Sequence, residues 1–282
     1  MKTIEISEDN MDLFQDLIGE DLSDDLKRIY YRGIGVTDDD GSAAGALICE
    51  LLNADREDEE RYSRICFLKS GGSDAFDGLL GHYRDKTVEE EEIAGSEYEL
   101  SDEAEAEALT GVGFSRNKKE SEMISVTLDE LSKLKIAQAK KIPGHIGSIE
   151  ALSILQYRDA VKQILFKGHS GLLEDIPYLP MTWFDPAVSS CVISGDLVPG
   201  LFLIRRTPSG ILMPSLYCAY GAEANKNLLY MLEFSLKKAI ELYPPDTKVM
   251  VRRHNKVTRA LTDKLLPDSI GEDIFYGKRK ER

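Results

Sequence analysis

Two distant segments of this chain share one layout. The first, Val36–Glu50, reads as a strand, an acidic turn and a second strand, and the second, Cys191–Arg205, has the same order. Each is followed by a short helical signal containing Ala-Leu-Thr, at Ala108–Thr110 and Ala260–Thr262. A recurrence on this scale favours two copies of one α/β domain over a solenoid, whose period is shorter.

The spacing of the two segments supports a duplication. From the glycine that opens the second strand to the leucine of the helical signal there are 64 residues in the first half (Gly45 to Leu109) and 61 in the second (Gly200 to Leu261). A chain of 282 residues is also long for one core and suits two domains. The helix-breaking segment Ile142–Gly144 marks the boundary, which predicts domains at 1–141 and 145–282.

Composition narrows the functional class. The chain is 42% hydrophobic and 30% charged, as soluble globular proteins are. Met1–Glu5 leads straight into acidic sequence, unlike a secretory signal, and no apolar stretch approaches the roughly 20 residues that span a bilayer. We therefore expect a cytoplasmic protein with no membrane partner. The four cysteines are scattered without a CxxC pair, which predicts reduced, buried thiols and no metal site.

The charge is unevenly divided. Residues 1–150 carry 36 acidic and 17 basic side chains, whereas the remainder carries 14 acidic and 18 basic. An overall charge of −15 argues against nucleic acid, because phosphates require clustered lysine and arginine. The acidic half could attract a cationic substrate or a basic partner. Solvated surface that keeps the protein soluble is the interpretation we favour.

The second half has the more distinctive order of elements. Its hairpin Cys191–Arg206 is followed by a strand at Ile211–Ala219 and an amphipathic helix at Asn225–Leu242. A strand at Lys248–Arg252 and a helix at Lys256–Leu265 come next.

This order resembles the GNAT N-acetyltransferase superfamily. The residues that carry the resemblance are the strand start Gly200–Leu203, the helix with Leu228 and Leu229, the strand Val249–Val251, and Asn255 before Ala260 and Leu261. In the first half, Gly111–Phe114 after Leu109 resembles the end of the same helix. The resemblance implies an α/β (α+β) fold of two tandem acyl-CoA N-acyltransferase-like domains, each a mixed, mostly antiparallel sheet flanked by helices. The acidic N-terminal copy is the more degenerate of the two.

The resemblance also implies a function: transfer of an acyl group, such as acetyl from the co-substrate acetyl-CoA, to an unidentified amine acceptor, either a small molecule or a peptide. In such a domain, backbone N–H groups at a helix N-terminus bind the coenzyme pyrophosphate. The coenzyme-binding candidates that the resemblance implies are Tyr217, Ala219, Gly221, Ala222, Asn225, Asn227 and Asn255.

The candidate loop departs from the family pattern. That pattern is Gln or Arg, two residues, Gly, one residue, and Gly or Ala. Its glycine positions fall here on Glu223 and Asn225, and Tyr220 stands where the basic residue would be. The alternative for this segment is an ordinary strand-to-helix turn capped by Asn225, just as Asn255 could simply cap the helix that follows it.

Amine acylation needs a base for the ammonium proton and an acid near the leaving thiolate. The candidate catalytic residues are Tyr276 and Glu50. A competing interpretation is a non-catalytic GNAT-like binding or regulatory protein that has lost the coenzyme loop, with Glu223 and Asn225 as its support. A third is two unrelated domains with a chance similarity. The sequence leaves the oligomeric state open.

Overall fold

The structure of the chain is a computed structural model, and it describes residues 1–54, 59–138, 141–167, 176–253 and 256–281.

The chain forms two compact units. Unit 1 comprises Met1–Ser121 together with Glu272–Arg282, and unit 2 comprises Glu122–Gly271. This division differs from the predicted ranges 1–141 and 145–282. Residues 122–141 belong to unit 2, and the last eleven residues of the chain belong to unit 1. Each of these two segments contributes a strand to its unit, and a search of the sequence for a local linker does not detect strand pairing over such distances.

Unit 1 is built on a seven-stranded sheet in the order β1-β2-β3-β4-β5-β13-β6. Neighbouring strands are antiparallel except for the parallel pair β4–β5. The strands are β1 (Lys2–Ile6), β2 (Tyr31–Thr37), β3 (Ala43–Leu52), β4 (Tyr62–Ser70), β5 (Gly95–Leu100), β6 (Asn117–Glu120) and β13 (Asp273–Lys280).

Three α-helices cover this sheet. They are α1 (Met11–Asp25), α2 (Ser73–His82) and α3 (Glu103–Gly111), and a π-helical turn at Tyr83–Glu89 continues α2. Successive residues of a strand face opposite sides. Leu47 and Cys49 of β3 accordingly pack with α2 and α3, whereas Ala46 and Ile48 pack with α1. The strand is therefore apolar on both faces, which explains its unbroken hydrophobic run.

Unit 2 contains a six-stranded sheet in the order β7-β12-β11-β10-β9-β8. The single parallel pair is β11–β12. The strands are β7 (Met123–Thr127), β8 (Ile146–Ser148), β9 (Ser190–Ser194), β10 (Leu197–Arg206), β11 (Leu212–Ala219) and β12 (Lys248–Arg252).

The helices of unit 2 are α4 (Leu128–Ser132), α5 (Ile154–Phe166), α6 (Ala224–Leu242) and α7 (Lys256–Leu265). Leu201 and Leu203 of β10 face the core beneath α5, and Phe202 and Ile204 face the core beneath α6. Ser153 begins α5 with a capping box, in which its hydroxyl and the Gln156 side chain bond each other's backbone N–H.

The similarity noticed in the sequence corresponds to equivalent positions in the two sheets. Gly45 pairs with Ser70, the last residue of β4, and Gly200 pairs with Ala219, the last residue of β11. At both places the following helix packs closely: a Cβ on Gly45 would lie 3.2 Å from Leu79 Cδ1, and one on Gly200 would lie 3.1 Å from Cε of a methionine in α6. The predicted fold class, two mixed and mostly antiparallel sheets flanked by helices, is confirmed. None of the described helices is long and apolar enough to cross a membrane.

Candidate active site

A wedge-shaped opening separates two strands of unit 2. The parallel strands β11 and β12 pair only at Leu212 and Val249, after which β11 continues alone to Ala219. One edge of β11 is thus left without a neighbouring strand. The exposed backbone of such an edge can hydrogen-bond an extended ligand as a further strand would.

The register of β11 shows which of its groups face this opening. Leu216 pairs with Leu203 and Pro214 with Ile204, so Ser215 lies in a bulge without a partner. Just beyond the strand, the Tyr220 N–H donates to the Pro199 carbonyl at 2.9 Å, which directs it towards β10. Because alternate residues point to opposite edges, the N–H groups of Tyr217 and Ala219 face the opening.

The loop after β11 leads into the N-terminus of α6. Gly221 has φ +93°, a conformation that favours glycine, and a Cβ there would meet nothing within 4 Å. The Ala224 N–H donates to the Gly221 carbonyl at 3.2 Å, and the Asn227 N–H is the first to close a full helical turn, donating to the Glu223 carbonyl at 2.9 Å. The earlier N–H groups of an α-helix have no partner within it, and the helix dipole makes this end attractive to anions.

The acidic residue of this loop is locally neutralised. Glu223 occupies the N-cap position but makes no capping hydrogen bond with its side chain. Its carboxylate instead lies 2.8 Å from Nζ of Lys226, and both side chains are exposed. Glu223 raises the pKa of Lys226 by hydrogen bonding and charge. The positive charge of Lys226, one helical turn along, thus offsets part of the negative charge of Glu223.

Two of the predicted coenzyme-binding side chains have partners inside the unit. The Tyr217 hydroxyl donates to the Leu228 carbonyl of α6 at 2.6 Å, and burial raises its pKa well above the usual value. Asn227 is only 8% exposed, and its Oδ1 lies 3.1 Å from His145 Nε2. The structure therefore places both side chains in packing roles, whereas the main chain of Tyr217 borders the opening.

The other predicted residues of this loop lie on the surface. Gly221, Ala222 and Asn225 are exposed at the N-terminus of α6. Asn225 is the second residue of the helix, so the alternative in which it caps α6 is wrong. Asn255 lies outside the described residues.

The structure places the two predicted catalytic residues in unit 1. Tyr276 lies on β13 between Glu99 of β5 and Asn117 of β6, with Nζ of Lys119 5.0 Å from the centroid of its ring. Glu50 lies on β3, and its Oε2 is 3.8 Å from Arg64 Nη1. Two strands separate β3 from β13 in the sheet, which corresponds to about 14 Å between their axes. The structure thus brings them neither next to each other nor into the unit that holds the coenzyme candidates.

Unit 1 has the same opening, but one of its own side chains occupies it. Strands β4 and β5 pair up to Ile65 and Tyr98, and β4 then continues alone to Ser70 after a bulge at Cys66. The Ser70 N–H, which corresponds to that of Ala219, donates to Glu105 Oε1 of α3 at 2.9 Å. Unit 1 therefore satisfies the Ser70 amide with one of its own side chains.

Sequence reasoning missed two residues near these openings. One is Glu105, and the other is Lys167, whose Nζ lies 4.6 Å from the centroid of the Tyr220 ring in unit 2. Each contact joins the end of a strand to a helix at least 35 positions away. No local pattern contains such a relationship. Among the described residues, no group of His, Cys, Asp and Glu is arranged to hold a metal ion.

Comparison with solved structures places this architecture among known folds. Over 99% of this chain and 98% of the other, it is similar to a tandem GNAT protein from the clavulanic acid biosynthesis pathway, with a TM-score of 0.66 and 12% sequence identity. The chain has the tandem GNAT fold. It is also similar to a GCN5-related N-acetyltransferase from Sphaerobacter thermophilus, with a TM-score of 0.55 and 12% identity over 100% of this chain and 96% of that one.

A third similar structure is Saccharomyces cerevisiae N-myristoyltransferase with bound myristoyl-CoA. Its TM-score is 0.57 at 12% identity, and the match covers 100% of this chain and 79% of that one. Protein-family models and curated proteins yield no match to the sequence. The tandem GNAT fold is thus recognised through its three-dimensional arrangement.

Proposed function

We propose that this protein is an acyl-CoA-dependent N-acyltransferase with its coenzyme site in unit 2. The observation that carries the proposal is the opening between β11 and β12, where the N–H groups of Tyr217 and Ala219 face outwards. Among the described residues, no side chain hydrogen-bonds to either amide. In unit 1, the equivalent amide of Ser70 is bonded to Glu105.

Each part of a coenzyme A thioester finds suitable chemistry at this opening. The pantetheine arm contains amides that can pair with the exposed edge of β11 as a short extra strand. The pyrophosphate suits the N–H groups of Gly221 and Ala222 and the positive end of α6. Asn225 and Asn255 are proposed to contribute further polar contacts to the coenzyme. With acetyl-CoA as the co-substrate, the thioester would lie deeper in the opening, towards the bulge at Ser215.

The proposed reaction is direct acyl transfer. A neutral amine attacks the thioester carbonyl carbon, a C–N bond forms, and the negative charge that develops on the oxygen is stabilised by backbone N–H donors. The C–S bond then breaks, the amine loses its extra proton to a base, and the thiolate leaves as a thiol after protonation. Tyr276 and Glu50 remain predicted as acid and base. Y276F and E50Q test these roles, and each should lower kcat if the residue transfers a proton.

The acceptor in this proposal is an amine of a small molecule or peptide. A cationic amine would suit the acidic half of the chain, residues 1–150, because an acidic surface raises the local concentration of cations. A cytoplasmic location also belongs to the proposal.

One observation favours a second candidate function. The loop that leads into α6 carries Glu223 at the cap, where an anion-binding loop would be expected to lack negative charge. A GNAT-like binding or regulatory protein would keep the fold without binding the coenzyme.

Calorimetric titration of the full chain with acetyl-CoA separates the two candidates. The enzyme interpretation predicts saturable binding that A222D weakens, because the new carboxylate would lie beside the pyrophosphate. The matched control is A151D, which places the same substitution at another exposed alanine of unit 2. Absence of heat with wild-type protein would favour the non-catalytic function. If A222D bound acetyl-CoA as tightly as the wild type, the coenzyme would not contact this loop.

A further inference from the structure

We infer that Lys167, at the C-terminal end of α5, binds the pyrophosphate of the coenzyme in unit 2. This inference rests on the proposed function, and it assigns a phosphate-binding role to a residue outside the α6 loop. Coenzyme A is a polyanion, so a cationic side chain beside its phosphates would strengthen binding. The acidic excess of the chain lies in residues 1–150, whereas residues 151–282 carry 18 basic and 14 acidic side chains.

Lys167 contacts Tyr220, the residue that follows β11. Its Nζ lies 4.6 Å from the centroid of the Tyr220 ring, within the range of a cation–π interaction. The Tyr220 ring is half-buried against the core beneath α5, and its backbone N–H donates to Pro199 at 2.9 Å. The ring is therefore a fixed platform that holds the ammonium group beside the residue that immediately precedes Gly221.

The charge of Lys167 is available to a ligand. Among the described residues, no carboxylate forms an ion pair with it, and its side chain is exposed. In the loop that leads into α6, the carboxylate of Glu223 lies 2.8 Å from Nζ of Lys226. Lys167, Glu223 and Lys226 together therefore carry one net positive charge, with the Lys167 ammonium over the Tyr220 ring and the other two side chains at the start of α6.

The contact between Lys167 and Tyr220 would provide this loop with a cation for a phosphate, although the loop itself contains no arginine. Tyr220 occupies the position before the loop and has no charge of its own. Through the cation–π contact, Lys167 at the end of α5 brings a positive charge to Tyr220. An ammonium group donates up to three hydrogen bonds, so Lys167 can contact Tyr220 through its charge and a phosphate oxygen through N–H at the same time.

The test compares K167A with K162A, which removes the same charge from an exposed position on the same helix. In calorimetric titrations with acetyl-CoA, K167A should bind roughly three- to tenfold more weakly, whereas K162A should match the wild type. K167R should retain most of the affinity. Y220L, which keeps apolar bulk but removes the ring, should lose part of it.

Two further arms identify the group that Lys167 recognises. Acetyl-pantetheine lacks both the pyrophosphate and the nucleotide, so in the same calorimetric titrations its affinity should be the same for wild type and K167A. The difference between wild type and K167A for acetyl-CoA should also shrink as salt is raised. Equal acetyl-CoA affinity of wild type and K167A would overturn the role of Lys167 alone. Failure of the wild type to bind acetyl-CoA would overturn the proposed function and this inference together.

Discussion

The carboxylate of Glu105 accepts a hydrogen bond from the backbone N–H of Ser70 at 2.9 Å and another from the Ser70 hydroxyl at 3.3 Å. This pair joins α3 to the end of β4, where the strand has separated from β5. An unpaired strand edge exposes polar groups that need partners. In unit 1 the Glu105 side chain bonds the Ser70 amide, whereas no side chain among the described residues bonds the equivalent amide of Ala219 in unit 2.

The Glu105–Ser70 contact is expected to stabilise unit 1. E105A should lower the free energy of unfolding by about 1–2 kcal/mol, because a charge-assisted hydrogen bond is lost. E105Q keeps an acceptor oxygen and should cost less than half as much. Urea unfolding followed by circular dichroism measures both, and E107A on the exposed side of α3 is the control. Equal stability of E105A and E107A would show that the bond contributes nothing.

Removing the loop carboxylate should favour the coenzyme. In E223Q, Lys226 loses its ion-pair partner and becomes available to phosphate, so acetyl-CoA affinity should rise by roughly two- to fivefold. Calorimetry at low ionic strength measures the change. The control is E150Q, which removes an exposed carboxylate of unit 2 at another site. An unchanged affinity in E223Q would argue that the coenzyme does not meet this loop.

The Tyr217 hydroxyl is predicted to act in packing. Y217F removes its hydrogen bond to Leu228 and should lower the free energy of unfolding by about 0.5–1.5 kcal/mol. If an acyltransfer assay is established, kcat of Y217F should remain within a factor of about two, since a hydroxyl bonded to a helix carbonyl has no proton to spare for the substrate. A large loss of kcat in a fully folded Y217F would instead make this hydroxyl the general acid.

The stability of unit 1 should depend on pH through Glu97. Burial alone would raise the pKa of Glu97, but Arg64 and Lys278 outweigh burial and hold it below 4.5, its ordinary value. A lowered folded-state pKa stabilises the fold above the unfolded value, and this stability is lost as pH falls through the folded value. The difference in unfolding free energy between wild type and E97Q should therefore shrink as pH falls below about 4.5. Urea titrations from pH 7 to pH 3 measure it, and a pH-independent difference would contradict the assignment.

Deleting the C-terminal strand should affect the first unit. A chain that ends at Gly271 lacks β13, which pairs with both β5 and β6 in unit 1. Trp183 lies in unit 2 and is the one tryptophan of the chain. The truncated chain should thus lose circular dichroism signal while Trp183 fluorescence still reports a cooperative transition. If the truncated chain instead lost the Trp183 transition while unit 1 stayed folded, β13 would belong to the second domain, as the boundary predicted at Ile142–Gly144 requires.

A point variant tests the same strand without truncation. A Cβ on Gly277 of β13 would lie 1.7 Å from the Ser115 carbonyl oxygen, so G277A forces the strand and its neighbour apart. The expected loss is about 1–3 kcal/mol of unfolding free energy. The control is G81A in α2, where an added Cβ meets nothing within 4 Å. Unit 2 should keep its Trp183 transition in both variants.

Much of the local structure follows from the sequence. Helix α6 was predicted at Asn225–Leu242 and is found at Ala224–Leu242, because its apolar residues repeat with the helical period and Pro244 prevents continuation. The hairpins that contain Gly45 and Gly200 are likewise local, since a short turn joins their strands. The site was less predictable. Tyr217 and Asn227 were predicted to bind the coenzyme, and no local pattern indicated that their side chains bond to Leu228 and His145 within unit 2.

The sequence by itself determined that the chain contains two similar α/β halves and that a strand-to-helix loop follows Ala219, because periodicity and turn residues act over a few positions. Only the tertiary structure decided which sheet receives β7 and β13, that Glu105 occupies the edge of β4, and that Lys167 lies over Tyr220. Short strands with similar patterns can join either sheet, and the choice depends on the combined pairing and packing of the whole unit. Contacts between residues far apart in the chain therefore form a site that the local pattern does not encode.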